Sequence, residues 1–306
     1  MATTTSFVST LVDRSGLTKE FVAAFFSEDE EFYANLFNKQ TKGLTPLEKN
    51  IKLYLLVVAD TLDESIGSSC SIDMKRAVET FKGLTDFMGI KMITKTISGD
   101  DYSKKNVQAA ITNLKPMNTD IVVFYYTGHG FRKENTDRFP NIKLKTHHTS
   151  RQDVLNNSLS MEEVFTMVQK KGARFNLVLS DCCNSDIEIT NITTGTKPGN
   201  TKSSGILWDE DNCRNLFLNK TPASILATAA DNGQRASSNN DFGGFFSYFF
   251  KTSMENYCSK LKSNVNWDAV LQDAKTQTIY KAKHTYCDKP YVPANVCNQY
   301  PYYIIR

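Results

Sequence analysis

From residue 51 onward the chain alternates between two hydrophobic periods. Residues 51–60, IKLYLLVVAD, make a continuous β-branched and apolar run, which predicts a buried strand. Met74, Ala77, Val78 and Phe81 follow at i, i+3, i+4 and i+7, the spacing of a one-sided helix. Residues 90–97 read as a second strand. Ser103 is placed to cap a helix faced by Val107, Ala110, Ile111 and Leu114, and Pro116 stops it. Residues 121–126 predict a third strand, 175–180 a fourth and 224–230 a fifth. Between the third and fourth, Ser160 and Glu163 form a capping-box pattern ahead of Met161, Val164, Phe165 and Val168, with Gly172 as the stop. Helices over 245–257 and 267–281, then a last strand in YPYYIIR, complete the series.

Strands alternating with helices predict an α/β fold with a mostly parallel central sheet and helices on both faces. Such sheets bind ligands beyond the carboxyl ends of their strands. Four predicted strands run out into Asp60, His129, the Asp181–Cys183 group and Asp231, which points to one shared active edge. A polar stretch over 132–157 exceeds ordinary loop length and predicts a functional or partly ordered segment. A second long polar segment covers 186–221. Residues 1–50 differ from the rest: short apolar clusters, such as 21–26, are broken by polar residues. They read as an N-terminal extension, either short helices or a pro-segment.

Composition narrows the class. The chain has 306 residues, 40% hydrophobic and 23% charged, as expected of a soluble globular protein. A net charge of +3 gives no support for a nucleic-acid or membrane-surface partner. No apolar run reaches the roughly 20 residues needed to cross a bilayer. The opening MATTTSFVST lacks the basic-then-apolar layout of a secretion signal, so the expected location is the cytoplasm, or outside it after loss of a signal. The seven cysteines show no paired CxxC spacing, and no metal site is predicted. Cys287 and Cys297 are either bridged or two free thiols. His147 and His148 read as an exposed polar pair.

Two segments carry the chemistry: YYTGHG at 125–130 and VLSDCCNS at 178–185. Each follows a predicted buried strand. A thiol and an imidazole at neighbouring strand tips are the minimum equipment of a cysteine hydrolase. His129 stands between Gly128 and Gly130, and the Gly130 N–H is a candidate oxyanion donor. Either Cys182 or Cys183 is the nucleophile, and the other is a small buried hydrophobe. Asp181 would raise the pKa of a neighbouring thiol, so its presence points to another task, recognition of a cationic substrate side chain.

At these residues the chain resembles the caspase-like cysteine peptidases and, within them, the metacaspase and paracaspase branch. The branch's YSGHG-type and DSCHSG-type segments read YTGHG and DCCNS here, 54 residues apart from His129 to Cys183. In that register Cys183 takes the nucleophile position and His129 the general-base position. The N–H groups of Gly130 and Cys183 form the oxyanion site. The branch's GCxND stretch reads SCSID, which places Cys70 and Asp73 with Thr127 and Asp181 in the primary substrate pocket. ATAADNGQRASS at 227–238, followed by a Gly-Gly-Phe helix start at 243–245, resembles the strand-five loop. Asn184 stands where the family has His, and Asp186 where it has Gly.

The resemblance implies a caspase-like sandwich over residues 51–306: a large-subunit-like part (51–185), a linker (186–221) and a small-subunit-like part (222–306). It implies a cysteine endopeptidase cutting polypeptides after Arg or Lys, acting as a monomer without a required cofactor. Lys197 and Lys202 in the linker are candidate self-cleavage sites. Calcium activation is common in the branch, but no ligands for it are identifiable. The alternative is a catalytically idle caspase-like scaffold or binding module.

Overall fold

The apolar runs become the middle strands of one six-stranded sheet. The computed structural model describes residues 43–187, 206–287, 292 and 295–306. In chain order the elements are β1 (Lys52–Ala59), α1 (Gly67–Met88), β2 (Lys91–Ile97), α2 (Lys104–Asn113), β3 (Ile121–Thr127), β4 (Gly130–Phe131), β5 (Asn141–Lys143) and α3 (Arg151–Asn156). There follow β6 (Ser158–Ser160), α4 (Met161–Gln169), β7 (Phe175–Asp181), α5 (Glu210–Phe217), β8 (Ala223–Thr228), β9 (Ser238–Asn239), β10 (Gly243–Gly244), α6 (Phe245–Tyr257), α7 (Trp267–Lys283) and β11 (Tyr302–Ile305).

The sheet order is β2-β1-β3-β7-β8-β11. All neighbours are parallel except β11, which runs antiparallel to β8. Every residue of β3 and β7 is buried, whereas β2 lies at the edge and is largely exposed. Successive side chains of a strand point to opposite faces, so each central strand feeds two cores. Leu55, Val123 and Leu177 pack with Phe81 of α1, Phe217 of α5, Phe250 of α6 and Trp267 of α7. Leu56, Phe124 and Val178 pack on the other face with Val107 of α2 and Val164 and Phe165 of α4. This is the mostly parallel α/β sandwich expected from the sequence. The predicted caps form: Ser103 accepts from Asn106 N at 3.3 Å and Ser160 from Glu163 N at 3.1 Å.

Both long polar stretches hold structure that the pattern does not announce. Residues 132–157 contain β5 and α3, and β4-β5-β6 form a small antiparallel sheet beyond the carboxyl edge of the main one. Phe139, Ile142, Leu144 and Val154 are buried there, singly spaced among polar residues, so no periodicity reveals them. Within 186–221, α5 is capped by Asp209, which accepts from Asn212 N at 2.9 Å, and buries Cys213, Leu216 and Phe217. Arg214 on its outer face pairs with Glu210 and Glu48, tying residues 43–50 to this helix.

Trp267 is the hub of the first core. It stacks on Phe175 with ring centroids 5.3 Å apart, meets Phe217 edge-on at 5.2 Å, and donates its indole N–H to Leu216 O at 2.7 Å. Trp267→Ala should cost about 3–5 kcal/mol, the range for a buried aromatic deletion. Urea denaturation checks this, and a loss under about 1 kcal/mol would contradict the packing described.

Candidate active site

The sheet brings the two chemical segments side by side. β3 and β7 are adjacent, parallel and in register, with Thr127 opposite Asp181. The pairing continues past their ends: Gly128 N donates to Asp181 O at 3.3 Å and Arg132 N to Ser185 O at 2.8 Å. Between these bonds lie His129, Gly130, Cys182 and Cys183. A methyl group on Gly130 would sit 2.5 Å from both Cys182 Sγ and Cys183 O, so only glycine allows the two turns to approach this closely. Lys143 N donates to His129 O at 2.9 Å, which makes Gly130·Ile142 a pair without its own hydrogen bonds. The Gly130 N–H is therefore not spent on β5.

The two cysteines have opposite environments. Cys182 is buried in the second core, and burial pushes its thiol well above the ordinary value. Cys183 is half-buried, and its Sγ lies 3.4 Å from the N–H of Ala236. The loop carrying Ala236 is held in place on both sides. Gly233 N donates to Asn184 O and Asn184 N to Gln234 O, each at 2.8 Å, and Ser237 N donates to Gln299 Oε1 at 2.9 Å. Asn184 is fully buried and its amide donates to Arg138 O at 3.1 Å, so it anchors this loop. Asp186 pairs with Arg132 at 2.8 Å. Cys287 and Cys297 are bridged, and Ser237 Oγ lies 3.5 Å from the sulfur of Cys287.

Beneath the paired strand ends lie two carboxylates. Asp73 of α1 accepts from Thr127 Oγ1 at 2.9 Å and from Gly244 N at 3.0 Å. Asp181 accepts from Ser247 N at 2.7 Å. Both side chains are buried, as are Thr127 and Cys70. Methyl groups on Gly243 and Gly244 would lie 2.0 Å from Asp73 Oδ1 and 2.2 Å from Asp181 Oδ2, so β10 forms a close roof that tolerates no side chain. Burial and the neighbouring Asp181 charge raise the Asp73 pKa well above the ordinary range, and burial pushes Asp181 up to about 6. A small cavity of about 20 Å³ lies beside Asp73, lined also by Arg76, Thr80, Tyr125, Ser247 and Lys251 among others. Of its two cations, Arg76 bonds Phe242 O and its charge partly offsets the raised pKa of Asp73, while Lys251 pairs with Glu255.

A second acidic pair flanks the histidine. His129 Nε2 lies 3.2 Å from Asp63 Oδ2, and the Asp63 side chain is almost completely enclosed. The other Asp63 oxygen accepts from Ser65 N at 2.9 Å, Ser65 Oγ at 2.5 Å and Ile66 N at 3.0 Å. Burial by itself would raise the Asp63 pKa; its bonds to His129 and Ser65 override burial and hold it well below the carboxylate range. Asp60, at the end of β1, accepts from Thr146 Oγ1 at 2.8 Å, but its second oxygen is buried without a partner. Burial and the nearby Asp63 charge push it up to about 6.

A protein-family model described as the caspase domain matches residues 67–299, well over half of the chain. The chain belongs to the caspase-domain family of cysteine peptidases. Its substrates are therefore polypeptides. A search of curated proteins finds no match to it. No helix among the described residues of this caspase-domain protein is long and apolar enough to cross a membrane.

The fold gathers Cys70, Asp73, Thr127 and Asp181 under one roof, and sets His129, Gly130 and Cys183 at the strand ends above them. Asp231 lies just past the carboxyl end of β8, where it faces Arg138 at 4.0 Å. Lys197 and Lys202 lie outside the described residues. His148 is not an exposed polar residue: its side chain is 8% exposed, and burial lowers its pKa. Asp63 is the residue that the sequence reading passed over. In TLDES, an aspartate two before a serine at a helix start is indistinguishable from an ordinary turn or cap.

Asp60 supplies a stability test. A buried acid with a raised pKa holds its proton in the folded state after the unfolded chain has lost it. Stability therefore falls as pH rises from about 4, through the unfolded value, to the folded value of about 6. Asp60→Asn should remove that component, gaining about 1–3 kcal/mol over wild type at pH 8 and less at pH 4. Urea midpoints at the two pH values check it; a difference independent of pH would contradict the assignment.

Proposed function

We propose that this protein is an endopeptidase of the metacaspase and paracaspase branch that cuts after Arg or Lys, with Cys183 as nucleophile and His129 as general base. The observation that carries the reading is the buried Asp73–Asp181 pair directly below the two clamped turns. Two carboxylates enclosed together disfavour each other's ionisation. A guanidinium or ammonium group entering between them relieves that repulsion and takes up their free lone pairs, which an acidic or apolar side chain cannot do.

In this reading His129 takes the proton from Cys183 Sγ, and the thiolate attacks the scissile carbonyl carbon. The N–H groups of Gly130 and Cys183 stabilise the oxyanion. As the carbon–nitrogen bond breaks, His129 gives the proton to the leaving amine. Water then attacks the thioester, His129 accepting its proton, and releases the acid product and the thiol. Two features favour Cys183 over Cys182: its partial exposure and the burial of Cys182.

Fluorogenic peptides ending in Arg, Lys or Asp test the specificity. We expect turnover of the first two only, abolished by Cys183→Ala and largely retained by Cys182→Ala. Asp181→Asn or Asp73→Asn should lower kcat/KM for the Arg peptide by on the order of 10²-fold, about 3 kcal/mol of transition-state binding. Turnover of the Asp peptide would contradict the specificity. An inert but folded protein would instead favour the idle scaffold.

Self-processing in the 186–221 linker, at Lys202 or Lys197, is the second expectation. Intact mass measurement should give two fragments for wild type and one uncut chain for Cys183→Ala. Uncut chains in both would remove self-cleavage from the reading.

A further inference from the structure

We infer that Asp63 is the positioning residue of the catalytic histidine, so that the working unit is Cys183–His129–Asp63 rather than a pair. The inference rests on the reading of Cys183 and His129 as the dyad. Its basis is geometric. Asp63 Oδ2 is 3.2 Å from His129 Nε2, and Asp63 comes from the β1–α1 connection, not from either turn that bears the dyad. Three donors from Ser65 and Ile66 fix the other carboxylate oxygen, so the group cannot swing away without losing all of them. From the other side, Tyr126 Oη donates to His129 O at 2.6 Å and Lys143 N holds the same oxygen. Ring and backbone of residue 129 are thus held by separate elements.

The chemistry follows from which atoms can donate. An ionised carboxylate only accepts, so His129 Nε2 must carry the proton in the contact with Asp63. In the neutral ring Nδ1 is then the unprotonated nitrogen, and it is the one left for the thiol. The proton leaves Cys183 Sγ, arrives on His129 Nδ1, and the sulfur keeps the electron pair. The resulting imidazolium has a carboxylate against its far edge, which stabilises the charge without itself taking the proton. Without Asp63 the ring is free to adopt the other tautomer, whose Nδ1–H cannot accept from sulfur. Several groups share this environment. Asp60 stands behind Asp63 and interacts with His129 and His147. Lys143 contributes its backbone from β5. Cys182 and Cys183 lie on the β7 side. Asp63 is hydrogen-bonded to the ring itself.

The test compares wild type with Asp63→Asn, which preserves the acceptor for Ser65 and Ile66 and replaces only the oxygen facing the ring. Fold is monitored by thermal melting. We expect kcat on the Arg peptide to fall by on the order of 10²-fold with KM within about threefold. We also expect the pH midpoint for alkylation of Cys183 by iodoacetamide to rise by about one unit or more. A purely structural role for Asp63 would not move that midpoint. Folded Asp63→Asn with kcat within threefold of wild type and a superimposable alkylation profile overturns the inference.

Should Asp63→Asn fail to fold, 15N shifts of histidine-labelled Cys183→Ala protein decide instead, His129 being assigned with His129→Gln. Protonated Nε2 and bare Nδ1 near neutral pH support the assignment, and protonated Nδ1 overturns it. Alkylation and NMR need no turnover, so they separate this inference from the specificity reading. A wild-type Cys183 that alkylates like an ordinary thiol overturns the dyad and the Asp63 assignment together. An activated Cys183 unchanged by Asp63→Asn overturns the Asp63 assignment alone.

Discussion

The in-register pairing of β3 with β7, carried two bonds past the end of the sheet, is the constraint on which the site depends. Regular pairing stops at Thr127 and Asp181, yet the backbone contacts at Gly128–Asp181 and Arg132–Ser185 keep the two outgoing turns together. Side chains at the tips of two separate turns keep a fixed relation only where the backbone holds those turns together. Loops alone would not hold it; two turns stapled to each other at the head of the most deeply buried strands do. Gly130 is the point of closest approach, and the buried thiol of Cys182 packs there as a small apolar spacer.

Enclosure of acids is the second organising theme. Four aspartates lie at or below the carboxyl edge, and their environments separate them. Asp63 is supplied with donors on both oxygens and stays ionised. Asp60 has one donor and a bare oxygen, and its ionisation is disfavoured. Asp73 and Asp181 are supplied with backbone donors from β10 and α6 but face each other's charge. The same residue type thus occurs as an ionised group beside the imidazole and, below the strand ends, as a buried pair whose ionisation is disfavoured. Hydrogen-bond supply, more than burial alone, makes the difference.

The flanking loops serve the same edge. The 233–237 segment is bonded to Asn184 on one side and Gln299 on the other, and Ala236 reaches the Cys183 sulfur. The disulfide between Cys287 and Cys297 lies next to Ser237, so the carboxyl-terminal region braces the loop over Cys183. Asn184 braces the loop through its backbone, while its side-chain amide donates to Arg138 O in the 132–141 segment.

Much of this was legible in the chain. Long apolar runs and i, i+3, i+4 stripes identify the strands and helices of the main sheet, because burial on two faces or one imposes those periods directly on the residues. The histidine and cysteine segments stand out because each joins a rare chemical group to the end of such a run. The elements β4 to β6, α3 and α5 did not show, since their few buried residues, such as Phe139 and Leu216, are anchored by distant contacts rather than by a local repeat. Asp63 did not show either. Nothing local distinguishes an aspartate that caps a turn from one that also faces an imidazole 66 residues away. Sequence alone therefore determined the layers and marked the strand ends that carry the histidine and cysteine segments, which depend on local period and residue chemistry. Tertiary structure decided which thiol is accessible, which carboxylates stay charged and which nitrogen of His129 faces an acid, because each depends on neighbours brought together only by the closed sheet.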